Sequence, residues 1–127
     1  MSAEPSLRVV LCWHMHQPYY LDPVCQEYQL PWTYLHGIKD YVDMAAHLEA
    51  VPEARAVVNF APILLEQLSD YAEQVRHHLS HGDPLRDPVL AALVSPPPDR
   101  DGRARALIRA CLRANEEHLI NRFPAYR

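Results

Sequence analysis

With 127 residues, 49% apolar and 22% charged, the chain has the composition of one globular unit or a piece of a larger one, not of a disordered segment. Twelve lysines and arginines against sixteen aspartates and glutamates leave a formal charge of −4, which supplies no basic surface for nucleic acid or an anionic membrane. No apolar run is long enough to span a bilayer and the first ten residues lack the pattern of a secretory leader, so a cytoplasmic location is expected.

The first predicted element is the apolar run Leu7 to Trp13, rich in β-formers, ending by His16 because Pro18 cannot donate to a strand ladder. A continuous apolar run predicts a strand buried on both faces, as in a parallel sheet under helices. The thirteen residues from Tyr19 to Pro31 carry prolines and aromatics without periodicity and read as a long loop. From Thr33, Tyr34, Ile38, Tyr41, Val42, Ala45 and Leu48 recur at helical spacing, predicting one helix that Pro52 ends. Ala54 to Phe60 reads as a second buried strand. Pro62 then opens a helix that buries Leu64, Leu68, Tyr71, Val75 and Leu79 and stops near Gly82.

Residues 82–99 are proline-rich and predict a surface excursion with two turns of helix. A last helix is expected over 100–121, capped by Asp99 or Asp101, with a thin apolar face of Ala104, Leu107, Ile108, Cys111, Leu112 and Leu119. The result is a β-α-β-α start with too few strands to close a sheet, since a complete barrel of β/α units takes about 250 residues. Cys12, Cys25 and Cys111 are odd in number, lack paired spacing and are expected to be reduced.

Candidate functional residues cluster after the first strand, in Trp13-His14-Met15-His16-Gln17-Pro18. Positions i and i+2 of a strand share a face, so His14 and His16 present two imidazoles together. Parallel α/β proteins place their ligand sites at that C-terminal strand end. Asn59 falls near the C-terminal end of the second strand, comparable with His16 on the first, where a polar amide suits ligand contact. Trp32 is a candidate for ring stacking on a ligand or for core packing. His36 is a candidate cleft residue or a loop anchor. Tyr19 and Tyr20 are candidates for a cleft lip. His77, His78 and His81 match no recognised metal spacing and read as solvated helix-end residues.

The strings LCWHMHQPYY, LPWTYLHGIKDYVDMAAHLE, ARAVVNFAPILLEQL and ANEEHLINRFP resemble the N-terminal segment of glycoside hydrolase family 57, most closely its α-amylase-like members. The resemblance implies that residues 1–127 are the N-terminal part of the catalytic domain, the first two β/α units of an incomplete seven-stranded (β/α) barrel. It further implies a retaining enzyme active on starch- or glycogen-type α-glucans or maltooligosaccharides, without metal or other cofactor. His14 and His16 match the family's paired histidines at the glucose whose bond is cleaved, and Gln17 and Pro18 complete the motif. The family's Glu nucleophile and Asp acid/base lie on later strands and have no match here. They are expected beyond Arg127, and the chain alone is expected to be inactive. Two alternatives stand beside this reading. One is a metal-dependent amidohydrolase-like enzyme, since His-x-His after a first strand also begins such sites. The other is a non-catalytic glucan-binding or decayed relative.

Overall fold

The computed structural model describes residues 7–96 and 102–111, with Glu117 and Asn121. The elements are β1 (Cys12–Met15), α1 (Trp32–Ile38), α2 (Asp40–Glu49), β2 (Val57–Phe60), α3 (Pro62–His81), α4 (Pro88–Val94) and α5 (Arg103–Cys111). The strands pair in parallel, Cys12 opposite Val57 and Met15 opposite Phe60. Parallel neighbours need a crossover, and α1 and α2 supply it. The described residues therefore form a partial α/β unit, a two-stranded sheet with helices.

The predicted single helix is two. The chain breaks at Lys39, where φ −126° and ψ −76° leave helical geometry. The break divides the apolar stripe: Tyr34 is buried and Tyr41 packs against the Met15, Ala61 and Leu64 cluster, whereas Ile38 and Val42 are exposed. Just before it, a Cβ on Gly37 would stand 2.9 Å from Leu68 Cδ2, so the missing side chain lets α1 close on α3.

Both strands are shorter than predicted, and neither is buried on both faces. Met15 is buried, but Val57, Val58 and Phe60 are exposed, as are Leu7, Val9, Val10 and Leu11 ahead of β1. Nothing among the described residues covers these side chains, and a strand can be buried on two faces only when layers lie on both.

The helix opened by Pro62 starts and stops as predicted, with Gly82 in the left-handed region at φ 78° and its amide donating to the His78 carbonyl at 2.8 Å. Its buried face differs. Leu64, Gln67 and Tyr71 are buried, while Val75 and Leu79 are exposed. Tyr28 and Tyr34 meet the helix at Tyr71, and its last turns run past them.

The long loop is folded rather than irregular. Leu21 and Tyr28 form an antiparallel bridge and are buried with Tyr34 and Tyr71. Asp22 Oδ1 accepts from the Val24 and Cys25 amides at 2.7 and 3.2 Å, which holds its carboxyl below the ordinary range. Gln26, at φ 58°, closes the turn.

Within residues 82–99 the predicted two turns are α4. Asp87 caps it, Oδ1 accepting from the Val89 and Leu90 amides at 2.8 and 3.0 Å while Oδ2 accepts from the Tyr71 hydroxyl at 2.6 Å. Asp87→Ala removes the cap and orphans a buried hydroxyl, an expected cost of about 2–4 kcal/mol. Native-state hydrogen exchange at Val89 and Leu90 measures it; unchanged protection would refute the role. Of the last predicted helix, α5 is the described part, and Ile108 is exposed, uncovered by any described residue. Its predicted caps Asp99 and Asp101 and its continuation through Leu112 and Leu119 lie outside the described residues.

Candidate functional site

The parallel register puts His14 directly opposite Asn59, each one residue before its strand's end. Their side chains meet, His14 Nδ1 to Asn59 Oδ1 at 2.6 Å. A carboxamide oxygen only accepts, so Nδ1 carries the proton and His14 Nε2 keeps a lone pair for a ligand. His16 lies on the same face as the spacing predicts, its ring 5.9 Å from that of His14 and 12° from parallel. Asn59, comparable with His16 by its place near a strand end, pairs with His14 instead, because the register sets it opposite the residue two positions earlier in β1. Both imidazoles are exposed, whereas Met15 between them points into the core.

Gln17 continues the site into the helices. Its Oε1 accepts from Tyr20 Oη at 3.0 Å and its Nε2 donates to Tyr41 Oη at 3.4 Å. Burial, then the neighbouring Tyr41, raises the Tyr20 hydroxyl above its ordinary range, so it stays a donor. His36 stands 6.3 Å from Tyr41 on one side and 6.3 Å from Trp32 on the other, ring centre to ring centre. A chain of contacts therefore runs Trp32, His36, Tyr41, Gln17, Tyr20. His36 Nδ1 also contacts the Asp40 carboxylate, which ties α1 to α2 across the break. Trp32 and His36 are half-buried, Tyr19 is exposed, and Tyr20 packs against the core.

Sequence reasoning missed Gln67. It is 1% exposed, and its amide holds the segment after the histidines onto α3. Nε2 donates to the carbonyls of Pro18 at 2.9 Å and Ile63 at 3.2 Å. Oε1 accepts from the Tyr20 amide at 3.0 Å and from Thr33 Oγ1 at 3.4 Å. A polar residue inside an apolar stripe, between Leu64 and Tyr71, was the available signal.

Three carboxylates are engaged elsewhere. Asp70 contacts Arg86 and accepts from Tyr28 Oη at 2.7 Å and Gln74 Nε2 at 2.6 Å. Asp43 is held low by Lys39, and Asp87 belongs to the α4 cap. A cavity of about 580 Å³ lies between Leu30–Pro31 and Val89–Ser95, and none of the predicted site residues lines it. Cys12 and Cys25 are free thiols.

In α/β proteins ligands bind outside the C-terminal ends of the parallel strands, and there the paired imidazoles and the amide stand. Glycosyl hydrolase family 57 matches residues 10–118, and the chain belongs to that family. No curated protein and no solved structure matches it. Membership of a glycoside hydrolase family implies a carbohydrate substrate.

Proposed function

We propose that this chain forms the sugar-gripping start of a retaining, α-glucan-active enzyme built on a (β/α) barrel, acting on starch, glycogen or maltooligosaccharides in the cytoplasm. The observation that carries this is the His14–Asn59 contact beside the stacked His16 ring in a family 57 chain. Asn59 fixes one tautomer of His14, so its Nε2 accepts from a sugar hydroxyl, and His16 offers a second polar contact on the same face. Such contacts accelerate the reaction to the extent that they tighten as positive charge develops on the ring. Trp32 and Gln17 extend the grip. On this reading the Glu nucleophile and Asp acid/base are supplied from outside these residues. Retention needs carboxyl groups about 5–5.5 Å apart across the bond, and the chain alone does not hydrolyse.

Titrating the chain with maltoheptaose while following the ring-proton resonances of His14 and His16 tests this. Both rings are expected to shift, and Asn59→Ala to weaken the response about fivefold, one hydrogen bond's worth. Absence of any shift at high sugar concentration would defeat the proposal. Release of reducing ends from starch by this chain would defeat the claim that it is inactive alone.

A further inference from the structure

The histidines at the end of α3, which sequence spacing assigns to solvent, converge with an aspartate from the next segment. We propose that His77, His81 and Asp83 form a zinc site that ties the last turn of α3 to the chain leading into α4.

His77 and His81 are one turn apart on a single helix face, with ring centres 5.6 Å from each other. The left-handed turn at Gly82 folds the chain back, and His78 Nδ1 meets the Asp83 carbonyl at 2.7 Å and holds that return. Asp83 Oδ2 thereby arrives 3.4 Å from His77 Nδ1. One nitrogen from each ring and a carboxylate oxygen all lie within 4.8 Å of one another. Ligands about 2.0–2.2 Å from a tetrahedral zinc sit roughly 3.3 Å apart, so small side-chain rotations close the set. His81 and Asp83 are exposed and free to make them.

Protonation favours the same arrangement. Ser80 Oγ donates its only proton to the Arg76 carbonyl at 2.7 Å, so it accepts from His81 Nδ1 at 2.8 Å. That leaves the Nε2 lone pair of His81 for a metal. His77 Nε2 now accepts from Arg76 at 2.9 Å. With zinc on Nδ1 the ring changes tautomer without net loss of a proton, and Nε2–H turns to Glu73, whose Oε1 is 3.7 Å away. Arg76 is already 3.5 Å from Glu73 and remains with it. A carboxylate behind a metal-bound imidazole fixes the ring and strengthens the ligand. The helix C-terminus adds its partial negative charge beside the cation. Two nitrogens and one oxygen suit zinc, with solvent completing the shell.

Isothermal titration of the tag-free chain with zinc chloride tests the site. One zinc ion is expected to bind, with His81→Ala and Asp83→Asn each weakening it about tenfold or more at unchanged far-ultraviolet helicity. His47→Ala, at an exposed position of α2, should not change it. In parallel, zinc should slow amide exchange in the last turn of α3, and His81→Gln should abolish that slowing. No zinc binding, or binding that survives both His81→Ala and Asp83→Asn, overturns the proposal. Binding removed by His14→Ala but not by His81→Ala overturns it equally, by placing the ion on the strand histidines.

Discussion

Replacing Gln67 with leucine is expected to release the segment that follows the paired histidines, at a cost of about 2–4 kcal/mol. The leucine fits the apolar stripe of α3, so the helix itself survives. What is lost is the amide that bonds at both ends: the Pro18 carbonyl loses its donor, and the Tyr20 amide and Thr33 hydroxyl lose their acceptor. Thr33 is fully buried, and water does not replace the missing partner. Native-state hydrogen exchange at Tyr20 is the direct measurement, and the histidine response to maltoheptaose should weaken in the same variant. Gln67→Glu keeps an acceptor for Tyr20 but cannot donate to Pro18, so it should fall between wild type and Gln67→Leu. Exchange at Tyr20 unchanged in the leucine variant would show that the segment is held by something other than this side chain.

Alkaline pH should unfold the cluster around Tyr71. Burial, reinforced by the bond to Asp70, raises the Tyr28 hydroxyl far above its ordinary value of 10.0. Burial and the bond to Asp87 do the same for Tyr71. The folded state therefore keeps both protons when the unfolded chain, above pH about 10, gives them up. With fewer protons bound in the unfolded state, the free energy of unfolding falls as pH rises. The slope approaches about 1.4 kcal/mol per pH unit for each tyrosine, and below pH 10 the contribution is constant. Of the seven tyrosines in the chain, these two should ionise only as the cluster opens, which the tyrosinate absorbance and helicity read together. Tyr71→Phe should remove its share of the slope. Ionisation of every tyrosine near pH 10 with helicity intact would contradict the burial argument.

Periodicity exposed the helix from Pro62 to Gly82 because a proline start, a glycine stop and a repeating stripe are all local signals. The break at Lys39 was not visible. Residues 33–48 keep one helical period, and the discontinuity comes from seating Tyr34 against Tyr71 and Tyr41 against the Met15 cluster at once. The Tyr19–Pro31 segment looked irregular for a similar reason. Its order comes from Leu21 and Tyr28 pairing across a turn and burying against α3, contacts that no spacing within the segment announces.

Legible in the residues themselves are the family, the shared face of His14 and His16, the β-α-β-α order (its first helix read as one where the fold has two) and the ends of α3. Each follows from residue identity and from the two- and 3.6-residue periods of strand and helix. The folded structure adds that Asn59 serves His14, that Gln67 secures the loop, and that Asp83 returns beside His77. The first two join residues far apart in the chain and wait on strand register and loop packing, whereas the third follows from the local reversal at Gly82.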